Sequence, residues 1–338
     1  MAFSLIDVLK LYRLHTAMAT ASVAGIAVHL AGGGLFIVAG AALGAIFHHA
    51  WAFSLNEVVD IEVDRRNPEL AHKPLVSGRI SRSGGVMLSF LALGLSFLFF
   101  STGALLGGGE ILPSLVLLGL ATMSGSIYDL WGKRFPLSDI FVALWMGLLV
   151  MASAGGVDGW GPFDLGVIAI ALLSSVHILF NNSVEGGLKD VENDAGSGSW
   201  TLAVATECRI DQGKLVVSPV FFLWAVLLRA FFVIGSAVFS LLIAEEAGWG
   251  TWVVVFVSIL GAGLFTHALA FLRSGKEVER KVMLRTFSLH ELSSYGISLM
   301  VILPATGILP ALMAFIAPVL WMLFFNRLIF GTGLAPKV

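Results

Sequence analysis

The sequence predicts an all-α protein, a multispanning transmembrane bundle of nine to ten helices around a central cavity that opens to the cytoplasmic side. Three observations carry that expectation. Hydrophobic residues make up 57% of the 338, with a mean hydropathy of +0.92, against roughly 45–50% apolar residues in soluble domains. Apolar runs of about 20 residues, long enough to cross a hydrocarbon core of about 30 Å, recur from end to end. Basic residues fall almost entirely on one side of those runs.

The runs place spans at 14–31, 35–56, 84–106, 112–130, 137–156, 164–186, 216–243, 249–272, 288–306 and 308–329. Lys10 and Arg13 precede the first, but no short apolar core with a cleavage site follows, so it reads as a helix rather than a signal peptide. The second carries Gly40 and Gly44, a small-xxx-small pair that suits close helix packing. Gly32–Gly34 and Gly107–Gly109 bound the second and third spans, and with no following Lys-Ser/Thr they read as turns rather than phosphate loops. The final apolar region divides between Pro304 and Pro310 if those prolines break the helix; if they only kink it, the count is nine.

Apart from Arg229, which lies inside a span, every Lys and Arg, including Lys276 and Lys337, sits on the side of the N-terminus. The opposite loops hold Glu110, Asp158, Glu245 and Glu246, so the positive-inside rule puts both termini in the cytoplasm of a multi-pass cell-membrane protein. The long cytoplasmic connections are 60–82, 189–214 and 273–285; the first two follow acidic clusters, an echo at about 130 residues that suggests two related halves. No soluble domain fits between the spans, so 1–338 reads as a single transmembrane domain, with its motifs in 10–210 and further helices in 216–330. The single cysteine, Cys208, excludes an intrachain disulfide. A net charge of −2 says little about partners.

Chemistry concentrates at two helix ends. In Asn56-Glu57-Val58-Val59-Asp60-Ile61-Glu62-Val63-Asp64, a turn of about 100° per residue puts Glu57, Asp60 and Asp64 on one helical face. Asp190 and Asp194 form a second i,i+4 pair. Like charges this close repel unless a cation sits between them. Oxygen ligands without His or Cys favour Mg²⁺, which commonly takes one or two carboxylates together with phosphate oxygens. Taken singly, each cluster is a solvated cap paired with Arg65, Arg66 or Lys189; two on one side of the membrane point to a phosphate or diphosphate ligand. Arg13, Lys73, Arg79, Lys133 and Lys189 are placed to neutralise it. Tyr128 and Lys133 at the end of one span offer a phenol and an ammonium to a developing anion. His48, His49 and His177 are candidate proton acceptors that individually read better as structural hydrogen-bonding groups. Asn181, Asn182 and Glu185 lie one to two turns before Asp190, where they are candidates to shape an acceptor pocket. Trp51, Phe47, Trp131, Trp145 and Phe180 read as packing or interfacial aromatics before cation shields.

These residues resemble the UbiA-type intramembrane prenyltransferases. That family's first motif, Asn-Asp-x-x-Asp-x-x-x-Asp followed by a basic-Pro-Leu-x-Ser-Gly run, is similar to Asn56–Asp64 with Lys73-Pro74-Leu75-Val76-Ser77-Gly78. Its Asp-x-x-x-Asp motif resembles Asp190–Asp194 with Gly198 and Thr201-Leu202, and the likeness covers about residues 10–210. Glu57 replaces an aspartate, and the Tyr128-to-Lys133 interval of five residues departs from the more usual four. The resemblance implies a prenyltransferase in which Glu57, Asp60, Asp64, Asp190 and Asp194 hold two Mg²⁺ over an isoprenyl diphosphate. Arg13, Asn56, Lys73, Arg79 and Lys189 would bind the diphosphate, and Tyr128 with Lys133 would act in catalysis. The implied partners are the prenyl diphosphate donor, a lipophilic acceptor of the aromatic quinone-precursor type and membrane lipid, with no nucleic acid. The same fold also admits a terpene cyclase, an ether-lipid or a phosphoribosyl transferase. A cation-coupled transporter is a different class, and it would need ionisable groups in the external half of the spans, where there are almost none.

Overall fold

The structure, a computed structural model, describes residues 4–66, 68–273, 275 and 280–332; Lys276 and Lys337 of the charge pattern lie outside the described residues. Its helices are α1 (Leu5–Leu11), α2 (Ala17–Leu30), α3 (Leu35–Val59), α4 (Ile61–Asp64), α5 (Arg82–Gly107), α6 (Ile111–Trp131), α7 (Asp139–Gly155) and α8 (Leu165–Phe180). A π-helical segment, Asn181–Gly186, joins α8 to α9 (Gly187–Ser197). There follow α10 (Leu202–Ala205), a hairpin of β1 (Arg209–Asp211) and β2 (Lys214–Val216), then α11 (Pro219–Glu246), α12 (Trp252–Phe271), α13 (Arg280–Thr306) and α14 (Ile308–Phe330). Each apolar run in the sequence has become a helix, and α13 and α14 are parted at Gly307, whose φ of 77° only glycine adopts without strain.

Among the described residues seven helices are long and apolar enough to cross a membrane: α3, α5, α6, the continuous Leu165–Ser197 helix, α11, α12 and α14. Two shorter apolar helices, Leu14–Leu30 and Asp139–Gly155, accompany them. Their lipid-length apolar surfaces make this an integral membrane protein. The hairpin corrects the all-α expectation locally. Antiparallel pairing sets Arg209 against Val216 and Asp211 against Lys214, and Gln212 and Gly213 supply the positive φ angles its two-residue turn needs.

The chain forms two compact units. One holds the residues up to Thr122, Leu149–Val167 and the segment from Ile308; the other holds Met123–Leu148 and Ile168–Gly307. In the first unit, α3 and α5 pack along their length. A Cβ on Gly40 would lie 2.5 Å from Gly103 Cα, and one on Gly44 would lie 2.4 Å from the Phe100 ring, so the small-xxx-small pair lets the backbones meet. Farther along the same seam Phe47 stacks on Phe99, His48 hydrogen-bonds Ser96, and Ser89 donates to the Trp51 carbonyl. His49 is held by Thr16 and Thr20, and the Trp321 indole donates to the Leu14 carbonyl. His48 and His49 are thus bonded within the packing, as structural histidines are.

In the second unit, α9 is seated by Leu188 and Val191. Together with Val184 of the preceding turn they enter a core of Leu202, Ala203, Leu215, Phe221 and Phe287. Burying such a stripe leaves Asp190 half-buried and Glu192 and Asn193 exposed, while Asp194 is buried with the apolar residues. Cys208 is buried beside Thr206 and Ser218, a small structural residue.

Candidate active site

The first acidic motif lies where α3 ends. The helix is interrupted at Asp60, whose ψ of 0° caps α3 and starts the four-residue α4. The near-helical backbone nonetheless keeps the acids together, with Val63 and Asp64 both donating to the Asp60 carbonyl. Glu57 and Asp64 are buried and Asp60 half-buried, while Glu62 is exposed and paired with Arg65. Asn56 contributes its carbonyl to the cap, accepting from Asp60 N at 2.9 Å.

A turn from Lys73 to Ile80 delivers the first base. Leu75 and Ile80 are fully buried, Ile80 N donates to the Pro74 carbonyl, Ser77 N to that of Lys73, and Gly78 takes a φ of 76°. The start of α5 closes on this turn so tightly that a Cβ on Gly85 would meet Leu75 and Val58 at under 3 Å. Fixed in this way, Lys73 Nζ lies 2.8 Å from Asp64 Oδ2 and 3.6 Å from Glu57 Oε1. Arg13 reaches the same Glu57 oxygen at 3.5 Å. Arg13 sits in the left-handed region (φ 43°, ψ 43°), a costly conformation for a non-glycine residue, and its guanidinium lies 4.7 Å over the Phe53 ring. Glu57 Oε2 is buried with no hydrogen-bond partner. Arg79 is engaged elsewhere, on Asp7 at 2.8 Å and on the His72 carbonyl. Burial acts to raise the Asp7 carboxyl, but hydrogen bonds from Ser4 and Arg79 and the Arg79 charge outweigh it and hold the group below its ordinary value.

The second motif lies in the other unit, on the helix that runs from Leu165 to Ser197. Asp190 is half-buried and 3.2 Å from Lys189, and Asp194 is buried. Gly198, with φ 76°, ends α9, and Ser199 N caps the Asp194 carbonyl. Trp200 N then donates to the Lys133 carbonyl at 2.8 Å, which ties the α6–α7 turn to the end of the motif. In that turn Gly132 N donates to the Tyr128 carbonyl, and a Cβ on Gly132 would lie 2.4 Å from that oxygen, so the longer Tyr128-to-Lys133 interval depends on glycine. The Thr201 hydroxyl, at the start of α10, is buried without a partner.

Groups that no sequence motif brings together lie deeper in this unit. The Glu185 carboxylate is 2.5 Å from His290 Nδ1, and His290 Nε2 is 2.8 Å from His267 Nδ1. Arg229, the exception to the charge pattern, is 2% exposed and lies 3.7 Å over the Phe180 ring. Its position within an apolar span is a signal visible in the sequence; its neighbours are not, since Ser294 and Phe180 are distant along the chain. Of the other aromatics, Trp51 and Trp145 are buried and Trp131 is exposed.

Among the described residues no three His, Cys, Asp or Glu side chains gather as a protein-only metal site. The donor set still fits Mg²⁺, which needs few carboxylates when phosphate supplies the other ligands, and the open oxygen of Glu57 offers one such bond.

Comparison with known proteins agrees with this reading. Over 134 residues the chain is 32% identical to a protein named protoheme IX farnesyltransferase from Korarchaeum cryptofilum, a match spanning 37% of this chain and 40% of that protein. In fold it is similar to a UbiA homolog from Archaeoglobus fulgidus bound to GPP and Mg²⁺, with a TM-score of 0.60 and 19% identity over 88% of this chain and 99% of the other. It is also similar to the apo UbiA homolog from Aeropyrum pernix K1, with a TM-score of 0.61 and 15% identity over 84% and 94% of the two chains. The family model described as the UbiA prenyltransferase family matches residues 17–290, and the chain belongs to that family of prenyl-transferring enzymes.

Proposed function

We propose that this protein transfers a prenyl group from an isoprenyl diphosphate to a lipophilic aromatic acceptor, with the reaction on the cytoplasmic side of a ten-helix, single-domain membrane protein. The observation that carries the reading is the Glu57–Lys73–Asp64 network with Arg13 beside it and one Glu57 oxygen open. A ligand entering such a network displaces its partners: acids released by Lys73 and Arg13 take up cations, and the released bases meet phosphate oxygens.

Glu57, Asp60 and Asp64 from one motif and Asp190 and Asp194 from the other are assigned as carboxylates for two Mg²⁺. When bound, Mg²⁺ supplies positive charge that neutralises the diphosphate as it departs. Arg13, Asn56, Lys73 and Lys189 bind and orient the diphosphate, and Arg79 joins them once it leaves Asp7. Tyr128 and Lys133 donate hydrogen bonds to the anion that forms. The allylic C–O bond breaks with its electron pair leaving on the diphosphate; the acceptor's electron pair forms the new bond to the allylic carbon, and the acceptor then loses a proton. Apolar walls keep water from that cation.

The Archaeoglobus homolog bound to GPP and Mg²⁺ supports the donor class. A quinone-ring precursor is the first acceptor reading, and the farnesyltransferase relative, whose name carries protoheme IX, favours a tetrapyrrole as the second. Mass spectrometry of quinones and tetrapyrroles from membranes with and without the protein separates them. The reaction class is tested on the purified full chain. It should release diphosphate from geranyl diphosphate only with Mg²⁺, and the Asp60→Ala, Asp190→Ala double variant should bind that donor at least about tenfold more weakly. Equal donor binding by the two proteins refutes the proposal.

A further inference from the structure

Arg13 brings a base to Glu57 from outside both acidic motifs, and it does so from a backbone conformation that arginine rarely adopts. Its φ of 43° and ψ of 43° lie in the left-handed region, so the surrounding contacts must hold it there. Thr16 donates to the Arg13 carbonyl twice, from its N–H at 3.0 Å and from its hydroxyl at 2.9 Å. Because that hydroxyl proton is committed to Arg13, His49 Nε2 must be the donor in its 3.2 Å contact with Thr16, and Thr20 then donates to His49 Nδ1 at 3.1 Å. One residue past Arg13, the Leu14 carbonyl accepts from Trp321 Nε1 at 2.6 Å, a contact that spans 307 residues of chain. Phe330, also on α14, meets His15 edge-on with ring centroids 5.3 Å apart and lies 5.8 Å from Lys10 Nζ. Helix α14 therefore grips the chain on both sides of Arg13.

We propose that Trp321 and Thr16 are positioning residues for the diphosphate-binding Arg13; the inference rests on the prenyl-transfer reading and adds to it a clamp built from the two ends of the chain. The Trp321 indole fixes the carbonyl that follows Arg13, and the Thr16 hydroxyl fixes the carbonyl of Arg13 itself. Arg13 thus stays left-handed, with its guanidinium 4.7 Å over the Phe53 ring and 3.5 Å from Glu57 Oε1. A backbone that relaxed to the right-handed region would aim the side chain elsewhere and break both contacts. The indole is itself held in place: Trp321 packs against Ala17, Ala21 and Ile46, and its ring lies 4.5 Å from that of Phe325. All of these groups belong to the first unit, and both Arg13 and Trp321 fall outside residues 17–290, over which the chain matches its family. When a diphosphate draws Arg13 from Glu57, the clamp keeps the guanidinium aimed at the site and lowers the ordering that binding requires.

The test is a double-mutant cycle on the full chain in nanodiscs. Equilibrium dialysis measures Mg²⁺-dependent binding of geranyl diphosphate to the unaltered protein, Trp321→Phe, Arg13→Gln and the double variant. Phenylalanine keeps an aromatic ring in the packing and removes the N–H donor. Trp321→Phe should weaken donor binding about 3- to 10-fold, the scale of one charged hydrogen bond. Once Arg13 is glutamine, the same substitution should change binding less than about twofold. A residue that merely packs would weaken binding equally in both backgrounds or leave it unaltered, and either result overturns the inference. If Trp321→Phe does not fold, Thr16→Val takes its place in the cycle with the same expected and the same overturning results. Absence of Mg²⁺-dependent donor binding by the unaltered protein would instead refute the prenyl-transfer reading. The clamp is then decided by the same cycle read as melting temperatures without donor: less-than-additive losses support it, and additive losses overturn it.

Discussion

The two acidic motifs differ in how their charge is compensated. Around Glu57 the acids are buried and already meet two bases from distant parts of the chain, Lys73 and Arg13, so the region is a closed electrostatic network. Asp190 pairs with its own sequence neighbour, Lys189, and both side chains are about one-third exposed. The first region behaves as a structural element whose partners a ligand must displace. The second keeps Asp190 half-exposed beside its own neighbour, while Asp194 is buried with the apolar residues that seat the helix. Removing a base should therefore have very different consequences in the two places.

The largest effect should come from Lys73→Met. Its side chain is 14% exposed and bridges two buried carboxylates, so deleting it leaves uncompensated charge, a change that costs about 3 kcal/mol. Lys189→Met removes a half-exposed pair and should cost under about 1 kcal/mol. Thermal unfolding in detergent compares the two. Adding Mg²⁺ should raise the melting temperature of Lys73→Met more than that of the unaltered protein, because a cation takes the place of the ammonium. If Mg²⁺ shifts both proteins equally, Lys73 and the metal do not compete for the same acids.

The spans, the motifs and the membrane class are clear in the sequence, because apolar run length and the spacing of acids are local signals. The one-residue interruption at Asp60 depends on backbone angles that the spacing of Glu57, Asp60 and Asp64 does not encode, although Lys73 still reaches both Glu57 and Asp64. The hairpin at Arg209–Val216 is short and polar, and its Gln212-Gly213 turn is a weak cue among loop residues. Arg79 groups with the phosphate ligands because it follows Lys73 in the motif, yet it pairs with Asp7 across 72 residues. The Glu185–His290 contact spans 105 residues and the Arg229–Ser294 contact 65, so only tertiary structure brings these groups together.

A second test concerns what holds each motif in place. On α3, which carries Glu57, Gly40→Ala forces a Cβ to within 2.5 Å of the Gly103 backbone, which cannot rotate away. Overpacking of this kind costs typically about 1–3 kcal/mol. On α9, which carries Asp190, a Cβ on Gly187 would meet Ala203 Cβ at 3.4 Å, an ordinary contact. Gly187→Ala should then be neutral or slightly stabilising, by up to about 1 kcal/mol, because alanine has the better helix propensity. Unfolding measurements that rank the two substitutions in the opposite order would show that the seam between α3 and α5 is more compliant than its contacts indicate.

The smallest expected effect lies at the rim of the first region, where Asp7 receives Arg79. The Arg79 side chain is 42% exposed, so the pair's contribution stays within about 1 kcal/mol. Its sign with pH is nevertheless definite. Because the folded protein holds the Asp7 carboxyl below its ordinary value of 3.8, the unfolded chain binds that proton more readily. The stabilisation is therefore complete above that value and disappears as the pH falls through the folded one. The melting-temperature gap between the unaltered protein and Asp7→Asn should be constant near neutrality and should close on acidification below about pH 4. A gap that persists into stronger acid would mean that shape rather than charge joins Arg79 to Asp7. Arg79 would then be no freer to reach a diphosphate after Asp7 is neutralised than before.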